Sequence, residues 1–196
     1  MSLATITTAA LPPQVYAHTE GHDVNLTADP AHWRPVRGIG TGWVKPHAGT
    51  GLWTSPVTAH RTDRTPTDSA WLEWCRSEMD SDTSPLWLTE IWPTGDARLL
   101  LIDDQAHLAA IIAAYPAKPN RYVAHRNGGR YPDWEALAAD GWDGVYLTDR
   151  GQWATRLPRS GPDLYGWDLE SCLWLRPSFV VGRTVRSAAR SEAGAA

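Results

Sequence analysis

The chain has 196 residues, of which 42% are hydrophobic, and its net charge is −4. This length suffices for one domain with a core, and the negative charge excludes the broad positive field that attracts nucleic acid or anionic lipid. The longest apolar run is shorter than the roughly 18–20 residues of a membrane span, and the N-terminus lacks the positive region of a signal peptide. The two cysteines, Cys75 and Cys172, are far apart and belong to no Cys-x-x-Cys pair, which favours a reduced, cytoplasmic protein and leaves a single disulfide as the alternative. We expect no membrane contact.

No internal repeat or long linker divides the chain. We therefore expect a single domain over residues 14–182, flanked by flexible tails at 1–13 and 183–196. The C-terminal stretch contains several arginines before it ends in small residues. Such a composition is more typical of a solubilising tail than of an arm that binds nucleic acid.

Short runs of apolar, β-branched and aromatic residues bounded by Gly, Pro or Asp predict strands. In chain order these are residues 15–18, 51–57, 86–92, 97–103, 144–148 and 170–175. Between the first two, residues 20–50 are irregular and rich in Gly, Pro and His. Loops of that length are often functional.

Three segments have apolar residues at helical spacing. They cover residues 65–79, 103–115 and 132–140. The second is the clearest, since an aspartate can cap its start and Pro116 ends it. Strands interleaved with a few short helices, without regular βα alternation, favour an α+β fold with a mixed, largely antiparallel sheet.

The common cofactor motifs are absent from the sequence. His18 and His22 have a spacing that suits a metal on a helix, and His32 and His47 lie in the same region, but the segment is not helical in pattern and no third ligand has a fixed spacing. We therefore expect no metal. The glycine-rich residues 38–42 lack the flanking strand and helix of a phosphate-binding loop.

Three short polar pieces stand at predicted strands. The first strand ends in His18, the second carries Thr54 and Ser55, and the last begins with Asp168 and Glu170. Because side chains alternate along a strand, acids two positions apart would share one face. Each piece also has an ordinary structural interpretation: a buried histidine, hydroxyls within a strand, and a solvated turn.

Taken in this order, the three pieces resemble the three-strand signature of the ADP-ribosyltransferase superfamily. In that superfamily a His or Arg on the first strand holds NAD, and Ser, Thr or an aromatic residue on a second strand surrounds the nicotinamide. A Glu on a later strand is the catalytic acid. The resemblance implies a split β-sandwich that uses NAD as its substrate.

The resemblance also assigns roles to residues of this chain. It implies that Glu170 and Asp168 are catalytic. It further implies that NAD is bound by residues of the first two strands, namely His18, Thr19, Trp53, Thr54 and Ser55. The chain has Thr-Ser-Pro on the second strand where Ser-Thr-Ser is common, and it has Asp two positions before the Glu, which leaves the type of acceptor open.

The chemistry explains why these residue types are needed. Breaking the bond between nicotinamide and ribose gives an oxocarbenium-like ribose, as in glycoside cleavage, and a carboxylate such as Glu170 stabilises the positive charge. Asp168 would orient or deprotonate the acceptor. Trp53 would stack on a ring of NAD, and His18 would donate to a ribose hydroxyl or a phosphate.

The resemblance therefore implies an NAD-dependent ADP-ribosyltransferase that modifies a protein or nucleic acid, or an NAD glycohydrolase. The overall pattern resembles toxin-like phage and bacterial proteins grouped with the superfamily, which implies an antitoxin or host partner. Two alternatives stay open. One is a non-enzymatic binding or structural module whose twelve tryptophans fill a core and an interface. The other is an enzyme that modifies a nucleic-acid base and holds phosphates with Arg126, Arg130 and the C-terminal arginines.

Overall fold

The computed structural model describes residues 2–18, 24–38, 45–46, 49–79, 86–118 and 130–187. Within them, nine strands form a curled, mixed and mostly antiparallel sheet with four short helices, which confirms the α+β class. The strands β1 to β9 are Thr5–Ile6, Gln14–His18, Leu52–His60, Pro66–Ser69, Trp87–Pro93, Leu99–Ile102, Gly144–Leu147, Ser171–Trp174 and Phe179–Arg186. The helices α1 to α4 are Ala70–Glu78, Gln105–Ala114, Trp134–Ala139 and Asp149–Thr155.

The sheet has the strand order β1-β6-β7-β8-β3-β2-β5-β9, and β4 pairs with β3 outside this path. The pair β6–β7 is parallel, and the other pairs are antiparallel. A parallel pair needs a crossover between its strands, and α2 and α3 lie in the chain between β6 and β7.

A polar side chain caps the start of each helix by accepting a hydrogen bond from a backbone N–H three residues later. The four caps are Ser69, Asp104, Asp133 and Thr148. The first helix was predicted to begin near residue 65, but Pro66–Ser69 pairs with β3 as the strand β4, so the helix begins only at Ala70. No helix in the described part of the chain is long and apolar enough to cross a membrane.

The sheet buries apolar side chains on both faces. On one face, α2 and α3 pack against the sheet; we call this the helix-side core, and it includes Ile102, Leu108, Trp134, Trp167 and Leu173. On the other face, side chains of strands from the two halves of the curled sheet meet each other. We call this the strand-side core, and it includes Leu52, Ile91, Tyr146, Cys172 and Trp174.

Ordered structure extends beyond residues 14–182 at both ends. Thr5 and Ile6 pair with β6, and Leu11 is buried in the strand-side core. At the other end, β9 pairs with β5 as far as Arg186. Of the segments expected to be tails, the described residues thus include the strand β1 and the last four residues of β9, whose backbone groups find partners in the sheet.

The packing of α4 on the end of β6 gives a stability test at Gly151. A Cβ atom on Gly151 would overlap the backbone oxygen of Ile102, and a backbone group cannot rotate away as a side chain does. We expect Gly151→Ala to lower the free energy of unfolding by about 1–3 kcal/mol, measured by urea denaturation. Gly95→Ala is the matched control, since a Cβ there meets no atom within 4 Å; equal stability of the two variants would contradict this packing.

Candidate functional site

The three strands predicted to carry the site are neighbours in the sheet, in the order β8-β3-β2. Val15 of β2 lies opposite Ser55 of β3, and Thr54 of β3 lies opposite Cys172 of β8. Residues directly opposite each other on antiparallel strands have Cβ atoms about 5 Å apart. The fold thus brings together three pieces that are distant in sequence.

The strands β2 and β3 pair only at one end. Their pairing covers residues 14–15 of β2 and 55–56 of β3. Beyond these residues β2 follows β5 as far as His18, whereas β3 follows β8 as far as Leu52. The sheet therefore divides between β2 and β3, and every predicted site residue that the structure describes lies on these two strands or just before β8.

The two hydroxyl residues of β3 point to opposite faces of the sheet, as strand alternation requires. The Thr54 hydroxyl donates to Gln14 Oε1 at 2.9 Å and accepts from Trp174 Nε1 at 3.1 Å. The Ser55 hydroxyl accepts from the backbone N–H of Trp71 at 3.3 Å. Both side chains are buried, so each hydroxyl has a structural partner within the protein.

His18 is buried at the end of β2 and is directed towards β5. Its Nε2 lies 2.9 Å from Thr89 Oγ1, which in turn lies 2.9 Å from Thr184 Oγ1 on β9. The imidazole also stacks on Tyr16, with ring centroids 5.3 Å apart. His18 is thus fixed by side chains of β2 and β5.

Glu170 is half-buried just before β8, where Tyr146 of β7 donates a hydrogen bond to its Oε1. Burial raises the pKa of Glu170; the Tyr146 hydrogen bond opposes this, and the charge of Asp149 adds to it. Burial, together with the neighbouring carboxylate, also raises the pKa of Tyr146. The phenol therefore stays protonated and remains a donor to Glu170.

Asp168 and Glu170 do not share a strand face, because β8 begins only at Ser171. The Asp168 carboxylate lies 3.1 Å from Arg156 Nη2 just after α4, and its backbone oxygen accepts from Gln152 Nε2 at 3.2 Å. Its partners thus belong to the helix α4, which packs against α2, whereas Tyr146, the partner of Glu170, belongs to the strand-side core. The alternation argument fails here because this segment is bent and not extended.

Trp53 packs against the helix-side core. Its ring meets the Trp167 ring edge-on at 4.5 Å, and Trp167 stacks on Trp134 at 5.3 Å. The ammonium group of Lys45 lies 5.0 Å from the centroid of the Trp53 ring. Burial lowers the pKa of Lys45, and the negative charge of Asp168 opposes that change.

Several residues singled out in the sequence lie outside the described part of the chain: Thr19, His22, Arg126, His47 and all of residues 38–42 except Gly38. Among the residues that the structure describes, no group of three His, Cys, Asp or Glu side chains could hold a metal ion. Cys75 and Cys172 are both buried and do not form a disulfide.

The predicted residues lie on different sides of the sheet. Thr54 and Glu170 lie towards the strand-side core, whereas Trp53 and Asp168 lie towards the helix-side core. His18 is four residues beyond Gln14 on β2, which corresponds to about 13 Å along the strand. The candidate site is therefore elongated along the division of the sheet.

Side chains outside the three predicted strands complete the surroundings of the acids, and the sequence analysis did not identify them. They are Lys45, Tyr146, Gln152 and Arg156. Only Tyr146 has a signal in the sequence, since it is the one residue with a polar group among the four of the apolar strand β7. Lys45 comes from the long irregular segment, and the other two come from a helix that was not predicted.

Removal of the buried carboxylate of Glu170 should change how stability depends on pH. Because the pKa of Glu170 is raised on folding, the folded protein keeps this proton where the unfolded chain has lost it, so stability falls as the pH rises through that range. We expect Glu170→Gln to gain stability relative to wild type as the pH rises above about 4, the ordinary pKa of a glutamate, measured by urea denaturation. Glu78→Gln, at an exposed position, should show a constant difference; the same constant difference for Glu170→Gln would refute the effect of burial.

Comparison of the chain with known proteins finds no family model that matches it and no significant similarity to a curated protein or a solved structure. The functional argument therefore rests on the residues of this chain and their geometry.

Proposed function

We propose that the chain is an NAD-dependent ADP-ribosyltransferase, which cleaves the bond between nicotinamide and ribose and passes ADP-ribose to a macromolecule or, as a glycohydrolase, to water. The observation that carries the proposal is the order β8-β3-β2. The acids come just before β8, the hydroxyl and aromatic residues lie on β3, and the histidine lies on β2; these three strands are adjacent, and the sheet divides between β3 and β2.

Glu170 is the residue proposed to stabilise the oxocarbenium-like ribose. Its carboxylate is half-buried, and a fixed charge stabilises a transition state more strongly where water is largely excluded. The hydrogen bond from Tyr146 holds one carboxylate oxygen in place. The other oxygen stays available for a ribose hydroxyl.

Asp168 is the residue proposed to act on the acceptor. The two acids have different partners: Tyr146 of β7 for Glu170 and Arg156, just after α4, for Asp168. Separate positions suit separate roles, since one carboxylate faces the ribose while the other orients or deprotonates the incoming nucleophile.

The elongated arrangement suits a dinucleotide. Trp53 offers an aromatic face to the nicotinamide ring, whereas Thr54, the next residue of β3, faces the other side of the sheet. His18, about 13 Å from the Gln14 end of β2, suits a phosphate or the second ribose.

The acceptor is a protein or a nucleic acid; an antitoxin or host protein is the expected partner. The buried, unbridged cysteines suit a cytoplasmic location.

The proposal is tested by incubation of the protein with NAD labelled in the adenylate part, followed by separation of free ADP-ribose and labelled macromolecules. We expect Glu170→Gln to lower the rate of nicotinamide release by about 10²–10³-fold, which is typical when one preorganised electrostatic contact is lost. Asp168→Asn should reduce transfer to the acceptor more than hydrolysis, because its role concerns the nucleophile.

The exposed Glu78→Gln variant is the control and should cleave NAD at the wild-type rate. Calorimetry of the wild-type protein at millimolar NAD gives the decisive negative result: no binding would refute the proposal. If NAD is cleaved but Glu170→Gln retains full activity, the assignment of Glu170 is wrong.

A second candidate is a non-enzymatic binding module. The observation that favours it is that His18, Thr54 and Ser55 are buried and bonded within the protein, as purely structural residues would be. Trp153 and Leu157, which are 74% and 69% exposed at the end of α4, supply an apolar surface for a partner. This candidate predicts that the cellular effect of the protein persists when alanine replaces both His18 and Glu170.

A further inference from the structure

The face of Trp53 is covered by a cation of the protein itself. Lys45 Nζ lies 5.0 Å from the centroid of the Trp53 ring, within the range of about 6 Å in which a cation is attracted to an aromatic face. We propose that this face is a binding site for a cationic aromatic ring, and that Lys45 occupies it until such a ligand displaces the side chain.

The Trp53 ring is fixed by other tryptophans and so keeps its orientation when Lys45 moves. Trp167 meets it at an interplanar angle of 74°, and Trp134, which is 1% exposed, stacks on Trp167 at 29°. These contacts leave Lys45 as the adaptable member of the group, since a lysine stem has four rotatable bonds.

Two features of the surroundings attract a positive charge at this place, whereas burial opposes it and lowers the pKa of Lys45. The aromatic face is negative at its centre, and the carboxylate of Asp168 exerts an attractive field on the Lys45 ammonium. Aromatic faces recognise permanently charged nitrogen compounds such as quaternary ammonium ions. A ligand that carries its own charge therefore recovers the interactions that Lys45 gives up.

The ligand class is an N-alkylpyridinium. It combines a flat ring, which stacks on an indole, with a permanent positive charge, which ammonium ions share but neutral heterocycles lack. The nicotinamide of oxidised NAD has this chemistry, so the inference rests on the proposed function and locates its ring. It adds that Lys45 competes with the substrate for Trp53 and weakens substrate binding.

The test uses 1-methylnicotinamide as the cationic probe and neutral nicotinamide as its uncharged counterpart. We expect Lys45→Met, which keeps the apolar stem and removes the charge, to bind the cation about 2- to 30-fold more tightly than wild type, the range that corresponds to a lost cation–π contact. Binding is followed by calorimetry and by the shift of the Trp53 indole N–H signal, which Trp53→Leu identifies.

The only other lysine of the chain, Lys118, is exposed and provides the control variant Lys118→Met, which should bind the probe as wild type does. Equal or weaker binding of the cation by Lys45→Met, or no binding at millimolar concentration, would overturn the inference. So would equal affinity of Lys45→Met for the cation and for neutral nicotinamide. Because the probe contains no ribose, its binding is measured independently of catalysis. If NAD is cleaved and Lys45→Met gains no affinity for the probe, only this inference fails. If the probe binds but NAD is not cleaved, the proposed reaction fails.

Discussion

The hydroxyl of Thr54 links three strands where the sheet divides. It donates to Gln14 of β2 and accepts from Trp174 of β8, so one buried side chain satisfies two others that have no access to water. Leaving buried donors or acceptors unpaired costs about 1–3 kcal/mol each. Because only two residue pairs join β2 to β3, this contact fixes the position of β8, and with it the acids, relative to the strand that carries the histidine.

Much of the fold follows from patterns that are local in the sequence. The strands β2, β3, β5, β6, β7 and β8 and the helix α2 were predicted within a few residues, because their apolar periodicity and flanking turn residues agree. The segments that were missed lack such agreement. Pro66–Ser69 contains residues that favour helix caps yet forms β4. The strand β9 lies at the edge of the sheet, and half of its residues are exposed, including Arg183, Thr184 and Arg186.

The helix α4 shows why a local pattern can mislead. It contains Gly151, which lowers helix propensity, so the sequence does not indicate a helix. The structure requires glycine there because α4 approaches the backbone of Ile102 too closely for any side chain. The site depends on this approach, since α4 and the residue after it supply Gln152 and Arg156, the partners of Asp168. The strands of the site were therefore predictable, and the side chains that surround its acids were not, because they come from distant segments.

The position of two acids before a buried strand has a physical explanation in their different partners. On one extended face, Asp168 and Glu170 would repel each other and lose water together. Because the chain bends before Ser171, Glu170 accepts a hydrogen bond from the neutral phenol of Tyr146, and Asp168 forms an ion pair with the guanidinium of Arg156. Neither acid therefore depends on the other for stabilisation. Burial raises the pKa of Glu170, and its neutral partner does not cancel the negative charge of the ionised carboxylate. The negative charge of Asp168 is instead balanced by Arg156. Two acids that differ in this way can serve two steps of one reaction, which two equivalent carboxylates on one face could not do.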